Sequence, residues 1–175
     1  PQPICLDHLK KMYSDNSLVN IVPMGLGRSA QKMEMSINSN QPVISTLSEH
    51  WKTGRFSNSK WDKKIIIDIT TLDEIIRRFG NPQYIKIDVE GYEHEVLLGL
   101  TKKSGIISIE FTSEFINNTY KSIDYLISLG YLDFNFSEGE RKKFSTKWSD
   151  SEKIKKEIEK NIKNNKLFWG DLYCK

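Results

Sequence analysis

The sequence predicts an α/β fold in which a doubly wound, mostly parallel sheet forms a single domain. Three observations carry this expectation. Short β-type runs alternate with amphipathic helical segments from residue 65 to residue 136, the pattern of βαβ units. A length of 175 residues with 38% apolar side chains is enough for one sizeable core. No apolar stretch approaches the ~20 residues a membrane span needs, and mean hydropathy is −0.51.

Taken in order, Ile4, Leu6, Leu9, Met12 and Tyr13 recur as the inward face of a short helix. Residues 18–23 form a short apolar run that ends in Pro23 and reads as a strand. From Lys32 to Asn38 the chain alternates, with Met33, Met35 and Ile37 on one side, as a half-buried strand does. Residues 38–56 are rich in Ser and Asn and read as loop, anchored by Trp51 and Phe56. Ile65 to Ile69 is another β-type run.

The clearest helix lies within residues 70–82. Thr71 and Glu74 have the spacing of a capping box, Leu72, Ile75, Ile76 and Phe79 share one face, and Gly80 and Pro82 stop it. Strands are expected at 84–89, 106–111, 131–136 and 167–174, and helices at 92–100, 119–129 and 151–164. Ile154, Ile158 and Ile162 give the last helix a narrow apolar stripe among mixed charges, which marks it as a packing element.

The net charge of +3 is local in origin, because residues 137–166 hold ten Lys and Arg against six Asp and Glu. This segment reads as a charged helical insertion in the domain. Mixed signs and the lack of interleaved aromatics argue against a nucleic-acid surface. Cys5 and Cys174 lie near opposite ends without ligand spacing, which fits neither a disulfide framework nor a zinc site and points to a reducing, cytoplasmic compartment. The chain begins Pro1-Gln2-Pro3 with neither Met nor a signal-peptide pattern, and reads as a piece of a longer protein.

Two segments invite a chemical reading. Gly25-Leu26-Gly27-Arg28-Ser29-Ala30 matches the dinucleotide-binding G-x-G-x-x-A pattern, but the residues after it alternate like a strand, whereas that pattern needs a helix whose first N–H groups hold phosphate. A strand-to-strand turn is the better reading. The second segment, Tyr84 to Glu93, is an apolar strand that delivers Asp88 and Glu90 at its C-terminal end, the end that faces the ligand crevice in open α/β sheets. Glu110 sits near the same end of the neighbouring strand, so three carboxylates are expected at one rim. Placed between Ile87 and Val89, Asp88 must face the crevice or be buried at a cost of several kcal/mol. Glu93 lies a helical step beyond and is expected to be a bystander. The competing reading makes Glu90 and Glu93 simple partners of a helix dipole and leaves Glu110 solvated.

TTLDEI at 70–75, YIKIDVEGYEHEVLLGL at 84–100, IISIEF at 106–111, Gly130-Tyr131 and WGDLYC at 169–174 resemble, in that order, the FkbM-type S-adenosylmethionine-dependent methyltransferases. The resemblance covers almost the whole chain. It implies a Rossmann-like sheet truncated at its N-terminus, with the glycine-rich cofactor loop and the ribose-binding acid upstream of Pro1, so that residues 1–175 alone are expected neither to bind the cofactor tightly nor to turn over.

On the same resemblance, Met24 and Gly25 border the adenine of S-adenosylmethionine. Asp88 sits beside the reacting centre, and Glu90 and Glu110 lie near the acceptor or a divalent ion. Asp88, Glu90 and Glu110 are therefore the candidate catalytic residues and the candidate ligands of Mg²⁺, a hard cation that prefers oxygen donors. Met24, Gly25 and Asp88 are the candidate cofactor contacts. Residues 45–48 resemble a loop that closes over the site. His94 is a candidate base, against the plainer reading of a solvated helix-surface histidine.

The activity implied is O-methylation of a sugar or secondary-metabolite hydroxyl on a small-molecule or glycan acceptor, without a membrane partner. Two alternatives stand beside it: a non-catalytic α/β module that binds a nucleotide or partner, and an RNA-associated methyltransferase.

Overall fold

The computed structural model describes residues 1–53, 56–141 and 143–175. Gly54 and Arg55 of the expected loop, and Lys142 of the basic segment, lie outside the described residues. The chain runs α1 (Pro3–Met12), β1 (Gly25–Leu26), β2 (Gln31–Ile37), β3 (Lys63–Thr70), α2 (Leu72–Phe79), β4 (Tyr84–Ile87), α3 (Glu93–Leu97), β5 (Ile106–Thr112), α4 (Ile116–Ser128), β6 (Phe134–Glu138), α5 (Ser151–Asn164) and β7 (Trp169–Cys174). The α/β class is as the sequence predicts.

The strands form two mixed sheets, ordered β1-β3-β2 and β4-β5-β7-β6, in place of one mostly parallel sheet. Parallel ladders join β1 to β3 and β4 to β5. Antiparallel ladders join β2 to β3, β5 to β7 and β6 to β7. Hydropathy period marks a strand but not its direction, and β7, reached from β6 by way of α5, inserts between β5 and β6 against both.

Helix α2 forms where the capping signal places it. Thr71 Oγ1 accepts from the Glu74 N–H at 3.2 Å, but the Glu74 carboxylate turns to Arg77 at 2.5 and 2.8 Å, so only half of the capping box is made. Helix α5 buries Ile154 and Ile158 completely and packs Ile162 against the same core, which makes it the packing element its stripe implies. That core also joins Ile87, Val96, Leu97, Ile107, Ile109, Ile123, Leu126, Phe134 and Phe136.

Two expectations fail near the N-terminus. The apolar face of α1 is not inward, since the helix buries no residue and Ile4 is 70% exposed. Residues 18–23 form no strand: Leu18 is 90% exposed, and only Gly25–Leu26 reach a ladder, beside Ile69 and Thr70. Trp51 does anchor the loop, buried against Phe56 and Phe115 at ring separations of 5.0 and 5.3 Å. Both cysteines are free thiols, Cys5 exposed and Cys174 buried. No helix among the described residues is long and apolar enough to cross a membrane.

Candidate functional site

Gly25 and Gly27 both pack against Ile69. A Cβ on Gly25 would lie 2.6 Å from Ile69 Cδ1, and one on Gly27 3.0 Å from Ile69 Cγ2. The residues that follow form β2 with no helix between, as the strand-to-strand reading expects. Arg28 instead ties this turn to α3 through two hydrogen bonds to Glu95, at 2.6 and 2.7 Å.

Strand β4 stops at the buried Ile87, and the chain leaves the sheet through Asp88 and Val89 into a turn at Glu90 and Gly91. Both turn residues have positive φ, 56° and 85°. This conformation is costly for a glutamate and persists only where the surroundings over-determine it. Three contacts do so. Thr46 Oγ1 donates to the Glu90 carbonyl at 2.7 Å. Glu93 Oε1 accepts from the backbone N–H of Val89 and of Gly91 at 3.2 and 3.1 Å. The indole of Trp51 packs so closely on Gly91 that an added Cβ would come within 2.7 Å of its Cε3. Glu93 is thus the clasp of the turn and not the bystander the sequence leads one to expect. Its only signal was an acid two residues after the glycine of a strand-to-helix turn.

The turn aims Asp88 and Glu90 toward Glu110 on β5. Asp88, Glu90 and Glu110 each offer a carboxylate oxygen within 4.8 Å of the others, so the expected three acids do converge. Burial is the main cause that pushes the Glu110 carboxyl up to about 8, and the charges of Asp88, Glu90 and Glu93 add to it. Burial likewise raises Glu90 to about 7, with Asp88 and Glu93 contributing. The Lys86 ammonium offsets part of this crowding. Lys86, on β4, lies 3.5 Å from Asp88 and hydrogen-bonds Asp171 of β7. Burial opposes its charge, but Asp171, Asp88 and Glu110 outweigh that effect and raise its pKa.

Beside the acids opens a cavity of about 430 Å³, walled by Gly25, Leu26, Met35 and Leu47 as well as Asp88 and Glu90. Ser45, Thr46 and Leu47 of the 45–48 stretch border it, and Gly25 stands in its wall. Met24, half-buried, is not part of that lining. His94 faces away from this cavity toward α4, where its Nδ1 lies 3.2 Å from Ser122 Oγ.

No curated protein and no solved structure matches the sequence. The Methyltransferase FkbM domain matches residues 1–160, which take in both sheets up to β6 and every acid of the rim. On that match, joined to an acidic rim at the ends of β4 and β5, the chain belongs to the FkbM methyltransferase family.

Proposed function

We propose that the protein is an S-adenosylmethionine-dependent O-methyltransferase whose acceptor is a hydroxyl of a small molecule or glycan. The observation that carries this reading is the convergence of Asp88, Glu90 and Glu110, the first two of which stand in the wall of the 430 Å³ cavity. That volume is in the range of small-molecule sites. Its mixed wall suits a cofactor with an apolar ring and a cationic sulfonium: Leu26, Met35 and Leu47 offer apolar surface, and Asp88 and Glu90 offer negative charge. When bound, S-adenosylmethionine supplies an electrophilic methyl group for in-line displacement.

The remaining work falls to the chain. Asp88 orients the acceptor hydroxyl at the rim, and positioning is where most of the acceleration of such a displacement originates. A carboxylate of the cluster takes the hydroxyl proton as the new C–O bond forms. A carboxyl with a pKa near neutrality suits that task, which favours Glu90, raised to about 7, over Glu110, which at about 8 keeps its own proton at neutral pH. The same 4.8 Å cluster supports a second reading, in which the three acids hold a divalent cation that lowers the hydroxyl pKa.

Transfer of a labelled methyl group from S-adenosylmethionine to hydroxylated small molecules tests the proposal, using the protein as its gene encodes it with any sequence that precedes Pro1. Acid-stable label in an ether product is the expected result. Label found only on nitrogen, or none transferred to any acceptor, would contradict it.

A further inference from the structure

A second, much smaller cavity lies behind the acid rim. Its volume is about 20 Å³, room for one water-sized group. Trp51, His94, Glu110, Thr112 and Ser122 are among the residues that line it, so Glu110 borders both the rim and this cavity.

Two polar atoms here are orphaned. Trp51 and Thr112 are 3% and 5% exposed, yet among the described residues neither Trp51 Nε1 nor Thr112 Oγ1 has a hydrogen-bond partner. Buried polar groups are nearly always paired, and leaving one unmade costs about 1–3 kcal/mol. A third polar group follows from hydrogen-bond logic. The Ser122 hydroxyl has one proton and donates it to the Asn118 carbonyl at 2.9 Å. Its oxygen, 3.2 Å from His94 Nδ1, must therefore accept, which fixes the proton of the neutral imidazole on Nδ1 and leaves a lone pair on Nε2. Among the described residues no group donates to Nε2. Burial also lowers the His94 pKa, in keeping with a neutral ring.

Trp51, Thr112 and His94 all line this one water-sized space, and an indole N–H, a rotatable hydroxyl and an imidazole lone pair make a set that a single neutral hydroxyl satisfies: it donates once and accepts twice. We infer that this cavity seats a second, non-reacting hydroxyl of a polyol acceptor, which donates to His94 Nε2 and accepts from Trp51 Nε1 and Thr112 Oγ1. The inference deepens the methyltransferase reading and rests on it for the word acceptor. It makes His94 a substrate-binding residue and narrows the acceptor class to molecules with a hydroxyl near the one methylated.

Nuclear magnetic resonance tests the seat without turnover. In the wild-type protein, long-range ¹H–¹⁵N spectra should show His94 as the Nδ1–H tautomer, the minor form of free histidine. Titration with methanol should move the Trp51 indole N–H and the His94 Nε2 signals along one saturable curve, while methylammonium should not. Two variants separate binding from structure. His94→Gln keeps an acceptor near the Nε2 position and should retain the methanol response. His94→Asn keeps only a donor toward Ser122 and should lose it at least ten-fold.

An Nε2–H tautomer, tighter binding of methylammonium, or the reverse order of the two variants would overturn the inference. So would a Trp51 indole that is protected from exchange but indifferent to methanol, which means an ordered water only. A methanol seat in a protein that transfers no methyl group would sink the methyltransferase reading and leave the seat standing.

Discussion

The four-stranded sheet and the three-stranded sheet are built to different standards. Among the described residues the first buries eighteen in one cluster fed by α2, α3, α4 and α5. The second buries four, Met35, Ile37, Ile67 and Ile69, with Met33, Leu47 and Ile65 only partly covered. The thick core fixes where Asp88 and Glu110 emerge, because Ile87 and Ile109, the residues just before them, are 2% and 1% exposed. The thin sheet leaves Gly25, Leu26, Met35 and Ile67 free to form a cavity wall. Precision resides on one side of the site and accommodation on the other.

The largest expected effect breaks the thick side. Phe134 is fully buried, and Phe134→Ala should cost ~3–5 kcal/mol by cavity formation. In urea melts it should remove most of the protein's stability. On the thin side, Met35 is 8% exposed and lines the cavity, so Met35→Ala should cost ~2 kcal/mol, the low end for such truncations. In the protein with any sequence that precedes Pro1, that variant should weaken S-adenosylmethionine binding, measured by calorimetry, more than its stability loss accounts for. Equal costs for the two truncations would erase the distinction between the sheets.

Gly91→Ala tests the joint between them. The substitution meets both the Trp51 ring at 2.7 Å and a φ of 85°, and should cost ~1–3 kcal/mol. Thermal melting reads this, and an unchanged midpoint would mean that Trp51 does not clamp the turn.

A pH slope reads the crowded acids directly. Glu90, Glu93 and Glu110 titrate in the folded protein at about 7, about 7 and about 8, against an ordinary 4.5. The native state therefore keeps protons that the unfolded chain has lost. This contribution to stability is complete below 4.5 and disappears as pH rises through 7 to 8. The melting temperature should fall between pH 5 and 8, and Glu110→Gln should flatten part of that fall. A melting temperature that rises over this window would show that the acids are not crowded out of water.

Much of the thick side was legible in the sequence and little of the joint was. Alternating apolar runs located β4, β5, α2 and α5, and an acid in the midst of IKIDV marked Asp88. Strand direction was not legible, because β7 follows a long connection that period-counting cannot orient. The inward face assigned to α1 failed since nothing in a helical stripe says what it packs against. Glu93 and Lys86 were missed for a common reason: each matters through partners distant in space or on the backbone, the N–H groups of Val89 and Gly91 for one and Asp171 of β7 for the other.

The most direct test of the account is methyl-transfer turnover of Asp88→Asn. The change keeps volume and most hydrogen bonding but removes the charge of the rim residue that also lines the cavity. A fall in kcat of ~10²–10⁴-fold is expected, with circular dichroism unchanged and no loss of melting temperature. Wild-type turnover in that variant, with the fold equally intact, would contradict it and make the three acids structural.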